Sequence, residues 1–300
     1  MNYQPPRALG LLVGTTFTLW ALSIAALLIN FATASDFEFS AVLAITGAVA
    51  AAALASLFGY WTYALATMNY ALDRNGLVIN WGVTRQVVPL GDIERLVPGT
   101  SVGIPSVKGV SWLSYHIGRA TIERIGDVLF YTTHQNAEQV LYVMTSERNY
   151  AISVEDPAGF ARQVQIRQDL GPTARVTHHA QRFGSAAQAF WYDPIGRVLV
   201  AAALFATFLM WALVSLRYPD LPAALELHFP AAEDTGLVDV RTKDSILQLP
   251  QIATLILGIN LVVGFFLHAW ERVAGYVLFL AAAAIQLAAA AAIAIALRGV

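Results

Sequence analysis

Residues 41–66 read AVLAITGAVAAAALASLFGYWTYALA and lie within a stretch, 39–72, of 34 residues that carries no charged side chain. A bilayer core about 30 Å thick is crossed by a helix of roughly 20 apolar residues. The stretch is therefore long enough to span a membrane, and it indicates an integral membrane protein.

Further uncharged stretches occur at 8–35, 198–216, 245–270 and 273–297. A buried core helix is the alternative for any one of them, and a signal peptide is a second alternative for the first. Their number favours membrane spans. We predict five transmembrane helices, near 9–31, 41–66, 198–216, 250–268 and 274–297.

The composition agrees with this prediction and excludes other classes. Hydrophobic residues make up 57% of the 300 residues and charged residues 13%, whereas a soluble domain has about 25% charged residues. The formal net charge of −2 gives no indication of a nucleic-acid partner, and the absence of cysteine excludes disulfides and a cysteine nucleophile. We expect no cofactor.

Positive charge predicts the orientation of the chain in the membrane. Twelve of the 18 Lys and Arg residues lie between positions 74 and 197, and the loop 32–40 carries none. Because cytoplasmic loops are enriched in Lys and Arg, we predict that the N-terminus and residues 68–197 are cytoplasmic. The loop 217–249 and the C-terminus are then extracytoplasmic.

The segment 68–170 has the pattern of a small β domain that ends in a helix. Strands are predicted at 69–72, 77–81, 86–88, 93–97, 122–125, 128–133, 140–145 and 150–154. Asp156 and Pro157 fit the N-cap and first positions of a helix, and Phe160 and Val164 share one face of it. The pattern predicts a barrel or sandwich with a capping helix.

Three parts of this segment resemble a bacterial pleckstrin-homology-like (PH-like) domain. The middle one, 109–118 with Trp112 and Tyr115, resembles its long loop. The run LDRNGLVI at 72–79 and the residues up to Ile93 resemble its start. YAIS at 150–153, with Asp156, Pro157 and Phe160, resembles its last strand and helix. The resemblance implies a seven-stranded half-open barrel with a C-terminal helix. Taken with the five predicted spans, the resemblance indicates a multi-pass protein of the bacterial plasma (inner) membrane. It also implies protein binding or assembly of a membrane complex rather than phosphoinositide binding.

A second resemblance concerns residues 217–297. Pro219–Pro222, His228, Gly236, Asp239 and Lys243 stand in the order found in a domain of unknown function of bacterial membrane proteins. It implies that the last three helices form one unit, and it implies no activity.

These observations divide the chain into four parts. Residues 1–67 form a two-helix hairpin, 68–170 the PH-like domain, 171–197 a basic and aromatic linker, and 198–300 three helices with the loop 217–249. Basic and aromatic residues beside an apolar run are typical of a membrane interface. The predicted interface residues are Arg175, Arg182, Trp191, Tyr192 and Arg197.

The stretch Thr100–Thr121 is predicted to be a long recognition loop, since loops on rigid scaffolds often carry binding sites. Its Trp, Tyr and basic residues could anchor a protein or contact anionic lipid, or the rings could simply cover the end of the barrel. The predicted partner- or lipid-binding residues are Lys108, Trp112, Tyr115, His116 and Arg119.

Small and amide residues predict contacts between helices. Whether the facing helix belongs to this chain or to another subunit, including a second copy, stays open. The predicted packing residues are Gly47, Ala51, Ala55, Gly59, Asn260 and Gln286, with the two amides expected to bond across the hairpin of the last two helices.

Motifs for catalysis are absent from the sequence, so we predict no catalytic residue and no enzyme activity. We expect no acidic ligand near His178 and His179, and no metal site is predicted. His268 is expected at a wet turn beside Glu271. The favoured function is protein binding by the PH-like domain, the alternative is a sensor of anionic lipid, and a transporter is disfavoured because the helix centres lack ionisable groups.

Overall fold

The computed structural model describes residues 1–103, 105–123, 125–182, 190–227 and 239–297. The chain divides into two compact units. One contains Met1–Leu22 and Ala52–Phe183, and the other contains Ser23–Ala51 and Gly184–Val300. The first two helices contribute to both units, so the predicted boundary after residue 67 does not coincide with a division between the units.

Within the described residues, five helices are long and apolar enough to cross a membrane, which confirms that prediction. The helix at Pro157–Leu170 is the predicted soluble helix. The helices are α1 (Ala8–Ala34), α2 (Phe39–Ala66), α3 (Pro157–Leu170), α4 (Pro194–Arg217), α5 (Gln248–Trp270) and α6 (Arg272–Ala296).

Helix α4 is longer than predicted because its first residues follow a capping sequence. The carboxylate of Asp193 accepts a hydrogen bond from the backbone N–H of Ile195 at 3.0 Å, and Pro194 occupies the first turn. Both features favour a helix start. The helix therefore begins at Pro194, before the uncharged stretch itself.

The first unit contains two β-sheets. The described strands are β1 (Asn2–Tyr3), β2 (Asn69–Leu72), β3 (Gly76–Trp81), β4 (Thr84–Pro89), β5 (Ile93–Pro98), β6 (Lys108–Trp112), β7 (Tyr115–Ile122), β8 (Gly126–Thr132), β9 (Val140–Thr145), β10 (Asn149–Ser153) and β11 (His179–Arg182). One sheet has the order β1-β2-β3-β4-β11 and the other β5-β9-β10-β8-β7-β6. Their strand pairs are antiparallel except for β8 and β10, which run parallel.

The two sheets stay open. The described part of residues 68–170 contains nine strands, β2 to β10, so the predicted number of seven is wrong. Both edges of the five-stranded sheet come from outside residues 68–170: β1 pairs with β2, and β11 pairs with β4. The predicted strand 122–125 is also wrong, because the backbone turns there, with Ile125 N–H bonded to the Ile122 carbonyl at 3.0 Å.

The main hydrophobic core of this unit is built by both sheets, α3 and the end of α2. Leu65 and Met68 are fully buried in it, together with residues of the strands. A second cluster around Phe130 and Tyr142 lies in the six-stranded sheet. The Tyr142 hydroxyl donates to the Gly103 carbonyl at 2.8 Å, so the segment after β5 covers that cluster.

In the second unit, α4, α5 and α6 pack together around Met210, Val214 and Ile293. Strands β12 (Ala224–Leu227) and β13 (Asp239–Thr242) form an antiparallel pair in the predicted extracytoplasmic loop. His228 and Gly236 of the second resemblance lie outside the described residues.

Candidate functional site

The predicted recognition loop Thr100–Thr121 is largely a β-hairpin, so the loop prediction was wrong. Strands β6 and β7 pair with Trp112 opposite Tyr115, and only Leu113 and Ser114 form the turn. Val110, Trp112, Tyr115 and Ile117 share one face, because alternate residues of a strand point the same way. That face belongs to the domain core.

Trp112 and Tyr115 hold the hairpin against α2. The Tyr115 side chain is fully buried, and its hydroxyl accepts a hydrogen bond from Trp81 Nε1 at 2.5 Å. The Trp112 ring lies 5.5 Å from the Trp61 ring and 6.4 Å from the Phe58 ring, centroid to centroid. Both aromatic residues are thus engaged within the chain, as in the alternative in which they cover the end of the domain.

Lys108 and Arg119 occupy the opposite end of the hairpin. They are directly opposite each other in register, and both are exposed. Like charges at such positions destabilise a strand pair, so an anion bound there would relieve a local repulsion. Leu113 at the turn is 67% exposed. The four residue steps from Lys108 to Trp112, just before the turn, cover about 13 Å at about 3.3 Å per residue.

His116 lies on the other face of the hairpin. Its Nδ1 is 2.8 Å from the Ser111 hydroxyl, and its ring centroid is 4.4 Å from that of His134. Burial, and secondarily the neighbouring His116, lowers the pKa of His134 to about 4, and burial also lowers the pKa of His116. Both imidazoles are therefore neutral at neutral pH, so His116 adds no positive charge to this hairpin.

Helix α3 carries an exposed apolar surface that sequence reasoning missed. Asp156 caps the helix, accepting from Gly159 N–H at 2.8 Å, and Phe160 and Val164 face the core as predicted. Ile166 and Leu170 remain 49% and 58% exposed.

Strand β1 brings the exposed Met1 beside them. We call Met1, Ile166 and Leu170 the α3 ridge. Clefts of about 490 and 380 Å³ border the ridge and share Met1, Gln163 and Ile166. The charged side chains that line these clefts are Arg74, Arg162, Arg167, Asp73 and Asp156. Since β1 comes from the distant N-terminal segment, no local pattern in 157–170 could have indicated this surface.

The first half of the predicted linker 171–197 is part of the β domain. The Asn75 side-chain oxygen accepts from the backbone N–H groups of Thr173 and Ala174, at 2.8 and 2.9 Å. Strand β11 then extends the five-stranded sheet. Residues 171–182 are thus bound to the domain by specific contacts.

The predicted interface residues differ in their placement. Arg175 and Arg197 are exposed, and Trp191 and Tyr192 are 66% and 74% exposed beside the start of α4. Exposed aromatic and basic side chains at the end of an apolar helix fit the predicted interface. The side chain of Arg182 lies outside what the structure describes.

His178 has two acidic neighbours in space. Glu147 Oε2 and Asp92 Oδ2 lie 3.5 and 3.9 Å from its Nδ1. The sequence expectation that no acidic ligand is near was wrong, because Asp92 precedes β5 and Glu147 lies in the turn between β9 and β10, both distant in sequence. This cluster is the one candidate metal site found among the described residues.

His268 is buried rather than at a wet turn, so that expectation was wrong. It is 1% exposed, and its Nε2 lies 2.6 Å from Asp193 Oδ2. The Tyr276 hydroxyl donates to the same carboxylate oxygen, whereas Glu271 is exposed. These three partners come from the starts of α4 and α6 and the end of α5, and the Asp-Pro pair at 193–194 was the signal that could have suggested a capping role.

Two of the small residues of α2, Gly47 and Gly59, lie against α1. A Cβ on Gly47 would lie 3.1 Å from the Leu28 side chain, and one on Gly59 would lie 3.7 Å from that of Thr18. Ala51 and Ala55, between them, are 7% and 4% exposed. The stripe therefore packs within the chain at both ends.

The predicted bond between the two amides is wrong, although α5 and α6 do form a packed pair. Gln286 Nε2 donates to the Ala253 carbonyl of α5 at 2.7 Å. Asn260, half-buried, lies two helical turns further along α5. The amide of Gln286 thus joins the two helices through the backbone rather than through a second side chain.

Residues 68–168 match a family described as the bacterial PH domain. These residues therefore form a bacterial PH domain. The described part of the same chain contains five helices long and apolar enough to cross a membrane. No curated protein and no solved structure gives a significant match. The resemblance of residues 217–297 to a domain of unknown function stays a prediction.

Proposed function

We propose that this chain is a non-enzymatic membrane protein whose PH domain binds a protein partner or helps to assemble a membrane complex. The α3 ridge is the observation that supports this. Exposed apolar patches on a soluble surface are typical of interaction sites. Three arginines and two aspartates border the ridge, so a partner with polar residues of both signs around an apolar segment would suit it.

The ridge lies on α3 and beside Met1, outside the helices that are apolar enough to cross a membrane. Helix α2 ends at Ala66, and β2 then extends from Asn69 to Leu72, which lines one of the clefts with Met1. Four strand residues cover about 13 Å. The ridge is thus separated from the end of the apolar helix by about the length of β2.

The test is copurification of the full chain with its partner from mild detergent. Ile166→Asp with Leu170→Asp should reduce the affinity at least about 30-fold, because a buried anchor is worth about 2 kcal/mol or more. Ile166→Asp is also made alone, and Gln165→Asp is its matched control, since it adds the same single charge at an exposed position of the same helix that lines neither cleft. A stoichiometric partner retained equally by all variants would contradict the assignment of the ridge.

Contact with anionic lipid is the second candidate function, and the facing pair Lys108 and Arg119 favours it. Each cation near an anionic surface contributes about 1 kcal/mol. In nanodiscs, phosphatidylglycerol should then stabilise the wild-type chain relative to phosphatidylcholine, and Lys108→Ala with Arg119→Ala should abolish the difference. Equal stability in both lipids would argue against lipid sensing.

The proposal also places the PH domain on the cytoplasmic side of the plasma membrane, with N-terminus inside. The chain contains no cysteine, so single cysteines can report the orientation. An impermeant thiol reagent should label Ala223→Cys in intact cells and leave Ser146→Cys unlabelled until the cells are broken. Both positions are exposed, so labelling of Ser146→Cys in intact cells would reverse the orientation.

A further inference from the structure

One nitrogen of His178 lacks a hydrogen-bond partner although it is buried. The side chain is 7% exposed, and its Nε2 lies 2.8 Å from the Tyr150 hydroxyl. Its Nδ1 is buried without a hydrogen bond and lies among the carboxylates of Asp92 and Glu147. A buried polar atom normally has a partner, so this one indicates a bound group.

The separations of the three side chains fit ligands that share a metal ion. Nδ1 lies 3.5 Å from Glu147 Oε2 and 3.9 Å from Asp92 Oδ2, and the three ligand atoms lie within 4.8 Å of one another. Ligands about 2.0–2.2 Å from a tetrahedral Zn²⁺ lie about 3.3–3.6 Å apart. The observed distances are longer than ordinary hydrogen bonds and close to that ligand spacing.

We propose that Asp92, Glu147 and His178 bind one divalent transition-metal ion, with Zn²⁺ as the best fit. One imidazole nitrogen and two carboxylate oxygens are suitable ligands for it. Asp92 and Glu147 are 35% and 64% exposed, so the fourth position is open to water. The ion would fasten the segment after α3 to the turns that precede β5 and β10.

Tyr150 acts as a positioning residue for this site. When Nδ1 binds the metal, Nε2 carries the proton of the neutral imidazole and donates a hydrogen bond to the Tyr150 oxygen. A partner on the second ring nitrogen that fixes the tautomer is common among metal-binding histidines.

The test uses the full chain in detergent, purified without a polyhistidine tag and stripped with a chelator. Titration with Zn²⁺ should show one equivalent bound and a higher unfolding temperature, and Co²⁺ should give the intense visible absorption of a four-coordinate site. His178→Ala should abolish both effects. His179→Ala is the matched control, because its Nδ1 lies 2.7 Å from the Thr177 carbonyl, outside the three-ligand cluster.

Glu147→Gln is a second variant that distinguishes loss of the metal ligand from loss of folding. Its side chain is mostly exposed, so the variant should fold as the wild type does and bind Zn²⁺ at least about tenfold more weakly. The proposal is overturned if the stripped wild type binds no Zn²⁺ or Co²⁺, or if His178→Ala and Glu147→Gln bind them as tightly as His179→Ala does.

Discussion

Replacement of Asp193 by alanine is expected to destabilise the α4–α6 unit by about 3–5 kcal/mol, which is typical when one partner of a buried pair is removed. Asp193 is 7% exposed and is the shared acceptor of His268 and Tyr276. It also caps α4 through Ile195 N–H. The substitution therefore leaves three donors without their acceptor at once.

Close packing around His268 leaves little room for another arrangement. A Cβ on Gly275 would lie 2.7 Å from His268 Cβ, and one on Gly196 would lie 3.3 Å from its Nε2. The two glycines therefore allow the helix ends to approach the imidazole. Because these neighbours restrict the ring, His268 has little freedom to find a new partner after Asp193 is lost.

Thermal unfolding of the purified chain in detergent measures this effect. Tyr276→Phe removes one of the hydrogen bonds and should lower the unfolding temperature by less than Asp193→Ala does. Glu271→Ala, at the exposed turn between α5 and α6, should leave stability unchanged. If Asp193→Ala unfolds at the same temperature as Glu271→Ala, the buried contact does not hold the three helices together.

The elements that the sequence predicted well are those governed by local rules. Stretches without charge predicted all five apolar helices because a bilayer core excludes charged side chains. Alternation and turn residues predicted β2 with its observed bounds and most of the other strands. The capping pair Asp156 and Pro157 predicted the start of α3, since a helix start is determined by a few neighbouring residues.

The elements that were missed depend on residues far apart in the chain. Strands β1 and β11 complete a sheet whose other strands lie at 69–89, and a two-residue strand has no pattern of its own. Glycine and serine interrupt the alternation of β6 and β7, so the sequence pattern predicts a loop where the structure has a hairpin. The partners of His178 and His268 are found only in three dimensions, so their roles could not be derived from spacing.

Replacement of Phe160 by alanine is the second large effect, with an expected loss of about 3–5 kcal/mol in the free energy of unfolding of the PH domain. Phe160 is fully buried, and its ring meets the Tyr3 ring edge-on at 4.9 Å. The truncation would leave a cavity between α3 and the core, and it would also remove the contact that β1 makes with the helix.

The suitable measurement is chemical unfolding followed by tryptophan fluorescence. The full chain is used because Leu65 and Met68, at the end of α2, belong to the same core as Phe160. Leu170→Ala is the control on the same helix, and its exposed side chain should contribute less than about 1 kcal/mol. Since Phe160 and Val164 are the buried residues of α3, a Phe160→Ala effect no larger than the control would mean that packing of α3 on the sheets contributes little to the stability of the domain.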